Sequence, residues 1–332
     1  MIVATWNLGN LFPPGTEFGP TSQEIYDEKL ATLARTIAEI GPDVLAVQEV
    51  GSADALRDLV DRLPGDWHTA LSELPDRRGI RVGFLSRLPF GETEEVGAFP
   101  APLRAVQIDD DGGTSAATGR GVLRVRVTSG GRPIDLVTCH LKSKLLTYPG
   151  ERFTPRDEGQ RARFGAYALF QRAAEAVTLR SLADRLLDGR GDDRALVVLG
   201  DLNDEPAAGT TQILLGPPGS EIGTAGFDRP DRGDPWRLWN LAPLIPEERR
   251  FTRVFRGRPE LIDHILVSAA IVRRVARADT TPEAPPSITE FPMERRDARG
   301  SDHRPLFAEL DLSRRRAPAG GLGAPSLRRA GS

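Results

Sequence analysis

The sequence predicts an α/β fold gathered into one large domain over residues 1–312. Short apolar runs of strand length alternate along the chain with longer segments of helical period. The ends of those runs carry polar residues in a repeated manner: Asn7, Glu49, His140, Asp201 with Asn203, Asp263, and Asp302 with His303. These ends are scattered from Asn7 to His303, so any division into two domains would divide the cluster. A chain of 332 residues is long enough for one such domain with a sizeable core.

The stretch around which the rest is arranged is Leu-Val-Val-Leu-Gly-Asp-Leu-Asn at 196–203. Its apolar half reads as a buried strand, and Gly200 lets the backbone turn or come close to another group. Asp201 and Asn203, two apart, leave an extended backbone on one face. Before it, residues 2–8 read as a strand ending at Asn7, ahead of the turn residues Gly9 and Asn10 and a Pro/Gly loop to Pro20. Ile25, Leu30, Leu33, Ile37 and Ile40 carry a helical stripe that Gly41-Pro42 stops. Residues 43–50 form a second strand ending at Glu49. Ser52 caps a short helix with Leu56, Leu59, Val60 and Leu63 on one face. Strands follow at 81–86 and 121–128, with a flexible Asp/Gly/Ser/Thr-rich loop at 109–119.

The next strand, 134–140, ends at His140 and runs on to Lys142 and Lys144. A helix over 158–187 is expected from the stripe Ala166, Leu169, Phe170, Ala173, Val177 and Leu186. Arg161, Arg163 and Arg172 in its first half make either a solvated face or a basic wall beside the polar cluster, and Arg161 is a candidate substrate contact. Beyond Asn203, a Pro/Gly-rich section holds Trp236 and Trp239, which serve either a small core or a platform. Residues 251–255 and 261–268 are expected to pair as strands around an Arg-Gly-Arg-Pro turn. A Pro-rich loop then runs to Arg299, and a last strand covers 305–310. The Arg/Ala/Pro/Gly tail at 313–332 is expected to be disordered.

Formal net charge is −3, which excludes a global basic field but leaves room for a local one. The single cysteine, Cys139, permits no internal disulfide and sits in an apolar strand pattern as a core residue. No stretch approaches the roughly 20 apolar residues of a membrane helix. The N-terminus shows no basic n-region and no apolar h-region, so the expectation is a cytoplasmic protein. One cysteine also removes a Cys/His zinc site. Carboxylates and amides suit a hard cation such as Mg²⁺. Acids, amides and two histidines together suit metal-assisted attack of water on a phosphoester, which needs a Lewis acid, a base and donors to the growing charge.

The order Asn7, Gln48-Glu49, His140-Leu-Lys142, Gly200-Asp201-Leu-Asn203, Ile262-Asp263-His264 and Ser301-Asp302-His303 resembles the endonuclease/exonuclease/phosphatase superfamily, with its deoxyribonuclease I-like fold. The resemblance extends to about residue 311. It implies a four-layer α/β/β/α sandwich of two packed, mostly antiparallel sheets with helices outside. It implies Mg²⁺, or Mn²⁺, held by Glu49 with Asn7 and Asp302 near it. Asp201 and Asn203 would hold the attacking water and the phosphate. His303, oriented by Asp263, would act on the water or the phosphate, and His140 would donate to a phosphate oxygen or the leaving group; which histidine is acid and which is base stays open. Lys142 is either a phosphate contact or a surface lysine, and Arg81 either a site residue or a solvated strand end. His264 points away from Asp263 by strand alternation, and His68 is read as structural.

His140 stands where abasic-site endonucleases of the family typically carry tyrosine, which argues against abasic DNA repair. The segments at 251–256 and 261–268 resemble those of bacterial endonuclease-like members. Lys142, Lys144, Arg152, Arg156, Arg161 and Arg163 could form a local footprint for a polyanion. The expectation is therefore a phosphodiesterase acting on DNA or RNA. The alternatives are a phosphatase or phosphodiesterase of a small phosphorylated metabolite or lipid headgroup, and a non-catalytic binding module. The insertion at 143–160 is expected to narrow the cleft toward a small substrate.

Overall fold

A computed structural model describes residues 1–312; the tail expected to be disordered, 313–332, lies outside the described residues. The chain begins β1 (Ile2–Leu11), α1 (Gln23–Ile40), β2 (Val44–Val50), α2 (Ala53–Val60), β3 (His68–Leu71), β4 (Arg81–Ser86) and β5 (Thr93–Ala98). It continues through the short β6 (Val106–Gln107) and β7 (Thr114–Ser115) to β8 (Ala117–Ser129), β9 (Arg132–His140), α3 (Glu158–Leu187) and β10 (Ala195–Asp201). The last part holds α4 (Gly209–Leu215), β11 (Trp239–Asn240), β12 (Arg253–Phe255), β13 (Arg258–Glu260), β14 (Asp263–Val267), α5 (Ala269–Val272), β15 (Val275–Thr280), β16 (Ser287–Ile288) and β17 (Leu306–Leu310).

Two six-stranded sheets result, ordered β15-β17-β1-β2-β4-β3 and β11-β14-β10-β9-β8-β5. Each contains a single parallel pair, β1 with β2 and β9 with β10, and every other neighbour is antiparallel. A parallel pair needs a crossover, and α1 and α3 supply one each. Local chemistry sets the ends of both helices. The Ser22 side chain accepts from Ile25 N and the Asp157 side chain from Gln160 N, while Gly41 closes α1 in a left-handed conformation at φ 60°.

Side-chain alternation builds four layers from these strands. Val3, Val44, Ala46, Val82 and Phe84 of the first sheet meet Val125, Leu136, Val197, Leu199 and Ile265 of the second in the inter-sheet core. The opposite faces carry Ala4, Trp6, Leu45 and Val47, packed on α1 and α2, and Val137, Cys139, Leu196 and Val198, packed on α3 and α4. Each Val or Leu so buried contributes about 1.5–3 kcal/mol. The expected four-layer sandwich is therefore present.

Several local expectations need correction. The 109–119 loop contains β7, which pairs with β6, and β8 begins earlier than expected, at Ala117. Residues 251–255 do not pair with 261–268. β12 pairs with β13 in a small separate sheet, while β14 leaves for the main sheet beside β10. The tight Arg-Gly-Arg-Pro turn uses up the near strand, which frees the far one. The stretch taken as loop up to Arg299 holds β15, an edge strand whose charged Arg277 and Asp279 hide its strand period. Trp239 is core and Trp236 is exposed, and neither is a platform in the cleft described next.

Candidate active site

The inward-facing column of each central strand changes from apolar to polar at the same end. In β1 it reads Val3, Thr5, Asn7; in β2 Val44, Ala46, Gln48; in β9 Ile134, Leu136, Thr138, His140; in β10 Val197, Leu199, Asp201. Thr5, Gln48 and Thr138 are joined across the two sheets, with Gln48 Nε2 donating to both hydroxyls at 3.1 Å. Asn7, His140 and Asp201 lie one step above this layer. The carboxyl ends of parallel strands are where open α/β sheets form their crevices, and here two such ends face each other. Antiparallel partners add the rest: β14 sets Asp263 opposite Asp201, and the chain entering β17 bridges His303 to Arg253. Gly200 is required because a Cβ there would run into the Cys139 carbonyl on the adjacent strand.

Strict alternation would turn Glu49 away from this gap. Its backbone instead takes φ 60° at a register break in β2, and Glu49 lines the cleft with one carboxylate oxygen accepting from Asn10 N at 2.8 Å. Asn10 and Asn203 share this left-handed conformation, at φ 54° and 52°. Three non-glycine residues in a costly backbone region mark a place where side-chain direction outweighs local comfort. The cleft measures about 60 Å³ and is lined by Asn7, Glu49, His140, Asp201, Asn203, Asp302 and His303. Asp263 sits fully buried directly behind His303.

Asp201 is the hub. Its Oδ2 accepts from Asn7 Nδ2 at 3.0 Å and lies 3.3 Å from His140 Nε2 and 4.0 Å from His303 Nε2; its Oδ1 accepts from Asn203 N at 2.9 Å. Burial and the neighbouring Asp263 push the Asp201 carboxyl up to about 7. His303 Nδ1 donates to Asp263 Oδ2 at 2.7 Å. Burial works against the imidazolium, but Asp263, Asp201 and Asp302 prevail and raise its pKa to about 9. His140 goes the other way, held well below the ordinary value by burial and by Arg120. Burial would also raise Glu49, yet the field of His140, Arg78, Arg120 and His303 keeps it well below the usual carboxylate range. One histidine is thus set up to be charged and the other neutral, around a carboxyl that titrates near neutrality.

Sequence reasoning missed the arginines of the cleft wall, Arg78, Arg120, Arg253 and Arg295. Arg120 pairs with Asp76 at 2.9 Å, Arg253 with Glu260, and Arg295 with Asp302. Arg78 stands in a turn, Arg253 on the three-residue β12, Arg295 in a 3-10 turn, and Arg120 near the start of the long β8, just ahead of the strand expected over 121–128. Lys29 was missed as well. It is buried under the site, donates to the Gly9 carbonyl, and burial lowers it to about 8. A lysine on the buried stripe Tyr26, Leu30, Leu33 was the available signal.

The expected basic residues lie elsewhere. The Lys142 ammonium is turned to the carbonyls of Ser143 and Leu145, burial lowers it to about 8, and it does not line the cleft. Arg161 pairs with Glu158 on the exposed face of α3, away from the cleft, and Arg81 donates to the Gly51 and Gly79 carbonyls. His264 contacts Asn240 and the Asp204 carbonyl, outside the cleft. Arg172 is neither solvated nor in the cleft. It is buried, pairs with Asp204 and donates to the Lys142 carbonyl at 3.0 Å. One turn on, buried Glu175 accepts from Lys142 N at 2.5 Å and Gly119 N at 2.8 Å. Together they clamp α3 to the segments that follow His140 and precede Arg120. The 143–160 insertion places Ser143 and Leu145 in the cleft wall.

The site can hold a cation. Asp201, Asp263 and His303 bring ligand atoms within 4.8 Å of one another. Glu49, Asn7 and Asp302 offer oxygen donors in the same cleft, and the buried Asn10 Oδ1 has no hydrogen-bond partner. That all-oxygen set fits a hard divalent ion.

Comparison with known proteins agrees with this architecture. The family model described as the endonuclease/exonuclease/phosphatase family matches residues 4–303. Solved structures with the same fold include an endonuclease/exonuclease/phosphatase family protein from Leptotrichia buccalis, 14% identical with a TM-score of 0.53 over 94% of this chain and 100% of that one. A humanized D. rerio TDP2 is 16% identical, TM-score 0.56, over 93% and 97%. A mannosyl-6-phosphatase from Bacteroides thetaiotaomicron is 15% identical, TM-score 0.54, over 93% and 99%. No curated protein matches the sequence. With its family match over nearly the whole chain and its deoxyribonuclease I-like sandwich, the chain belongs to the endonuclease/exonuclease/phosphatase family.

Proposed function

We propose that this protein hydrolyses a phosphodiester with water in a divalent-metal-dependent reaction, and that its substrate is DNA or RNA. The observation that carries the reading is the placement of the buried Asp201 carboxylate, held by Asn7 Nδ2 and Asn203 N, with His140 Nε2 at 3.3 Å and His303 Nε2 at 4.0 Å from its Oδ2. Asp201 takes the proton of the attacking water while Asn7 Nδ2 and Asn203 N fix its two oxygens. His303, charged and held by Asp263, presents Nε2 to a phosphate oxygen. Neutral His140 donates one N–H toward the phosphate or leaving group. Arg78 and Arg120 face the charge that grows on the phosphate. Asn203 Nδ2 is committed to the Leu141 carbonyl at 2.9 Å, so its backbone N–H, holding Asp201, is its main contribution.

Glu49, with Asn7 and Asp302, would hold the Mg²⁺ or Mn²⁺, which when bound supplies Lewis acidity at the phosphate oxygen. The Asp201–Asp263–His303 group is the poorer holder, because His303 Nδ1 already donates to Asp263 and an imidazolium has no lone pair to offer. Lys142 and Arg161 are not assigned a phosphate contact in this reading, since neither lines the cleft.

The small cleft, about 60 Å³ with Leu145 and Pro292 in its wall, favours a second reading: a phosphatase of a small phosphorylated metabolite. One panel tests both. Chromogenic diester, single- and double-stranded DNA, RNA, inositol phosphates and sugar phosphates are offered with Mg²⁺ or Mn²⁺, beside Glu49→Ala. Diester cleavage that needs the metal and Glu49 supports the first reading, monoester cleavage alone supports the second, and activity indifferent to metal and to Glu49 refutes both.

A further inference from the structure

Beside the cleft lies a groove of about 530 Å³ that shares Asn10, Arg295, Asp302 and His303 with it. One wall is α1, through Thr32, Arg35 and Thr36; the other is the segment 281–289; the floor includes Trp6. The far wall is pinned in place. Buried Arg304 donates to the carbonyls of Thr281, Pro282 and Glu283, β16 pairs with β12, Arg296 donates to the Gly19 carbonyl at 2.7 Å, and Asp297 accepts from Thr21 N and Oγ1 at 2.8 and 2.9 Å. The groove is a preformed concavity of the size that holds small ligands.

Its chemistry is two-sided. The Arg35 guanidinium and the Glu283 side chain make no ion pair or side-chain hydrogen bond among the described residues, and both line the groove. Arg299 is tied to Glu28, Arg295 to Asp302, and Glu294 accepts from Thr289 Oγ1. A free donor on α1 and a free acceptor on the 281–289 segment thus line a cavity edged with hydroxyls and lined in part by the Trp6 indole. That surface suits a hydroxylated group with donors and acceptors of its own, and it disfavours an acyl chain.

We infer that the groove is a subsite for one nucleotide- or phosphosugar-sized unit joined to the scissile phosphate, and that the enzyme therefore acts on flexible single strands or small phosphoesters and not on duplex. This rests on the proposed phosphoesterase reading. A phosphate must enter a 60 Å³ cleft while its neighbouring unit turns into an adjoining 530 Å³ groove. A strand free to unstack makes that turn, and a base-paired one pays unstacking first.

The test uses Thr36→Trp, which fills the groove from the surface of α1, and Arg35→Glu as a second, non-bulky variant. Neither residue is in the catalytic machinery. With Mg²⁺, a short single strand is expected to be hydrolysed at least about tenfold faster than the same sequence in a blunt duplex. Thr36→Trp should raise KM for it about tenfold or more, a 1.4 kcal/mol effect or larger, while methyl p-nitrophenyl phosphate, too small to reach the groove, is hydrolysed as before. A hexose phosphate hydrolysed with the same Thr36→Trp sensitivity, in place of the strand, identifies a phosphosugar as the source of the same chemistry. Duplex cut as fast as single strand, or KM unmoved by both variants, overturns the inference. Anisotropy of a labelled single strand in EDTA separates the two levels. Binding weakened by Thr36→Trp in a protein that hydrolyses nothing keeps the subsite and sinks the phosphoesterase reading; equal strand binding to wild type and variant, with hexose phosphate hydrolysis equally indifferent to Thr36→Trp, sinks the subsite.

Discussion

Asp263→Asn tests the electrostatic design of the site. Asp263 is fully buried, and its Oδ2 is the acceptor of His303 Nδ1 at 2.7 Å. His303 stands at about 9 against an ordinary 6.5, although burial alone would lower it. At about 1.4 kcal/mol for each tenfold in proton affinity, the net shift, in which Asp263, Asp201 and Asp302 outweigh burial, corresponds to about 3 kcal/mol in favour of the folded state at neutral pH. Because the folded value lies above the unfolded one, that stability is complete below pH 6.5 and is lost as pH rises through about 9. Asparagine keeps the volume and removes the charge. Burial then has the larger say, and His303 should titrate below about 7. Asp201 should fall from about 7, since Asp263 is the neighbour that raises it after burial itself. The assay is a ¹⁵N-imidazole titration of the metal-free protein, with urea unfolding at pH 6.5 and pH 9. Wild type should show a midpoint near 9 and a stability that declines between the two pH values; the variant should show the lower midpoint and a flatter curve. A midpoint that stays near 9 in Asp263→Asn, or a wild-type stability no lower at pH 9, would mean that Asp263 does not hold the charge on His303.

Other expectations follow from single contacts. Glu49→Ala should weaken Mn²⁺ binding by calorimetry at least about tenfold, on the scale of losing one carboxylate ligand, with the fold intact by circular dichroism; unchanged affinity would move the metal elsewhere. Glu175→Ala strands the buried N–H groups of Gly119 and Lys142, and at about 1–3 kcal/mol each should lower the urea midpoint markedly and reduce kcat through His140 and Arg120. Gly200→Ala forces a Cβ onto the Cys139 carbonyl and should cost about 3 kcal/mol, measurable by denaturant unfolding; wild-type stability would mean the strands part without cost.

The sheets and their order of appearance were legible because the central strands are nearly pure apolar runs, and their polar ends stand out against them. Asn7, His140, Asp201 and His303 could be gathered from sequence for that reason. Alternation alone would have turned Glu49 the wrong way; only the left-handed backbone at a register break brings it round, and nothing in Val-Gln-Glu-Val announces that. The arginines were misjudged in both directions. Lys142 lies two residues beyond His140 yet is turned away from the cleft, and Arg161 sits on the exposed face of α3, whereas Arg78, Arg120, Arg253 and Arg295 reach the cleft from four separate segments. Arg172 and Glu175 lie on the buried stripe of α3, where charge among apolar residues was itself the clue to a clamp. β15 escaped because an edge strand with charges at alternate positions has little apolar run to read.

Residues from both sheets line one cleft, and the proposed reaction has a cation held there while water attacks phosphorus. Hydrolysis of a phosphodiester in ¹⁸O-labelled water, with Mg²⁺, for wild type and Asp201→Asn, tests it most directly. One label per turnover is expected on the phosphate product, abolished by EDTA and by the substitution. Label that accumulates equally in Asp201→Asn, or turnover without label on phosphorus, would contradict it.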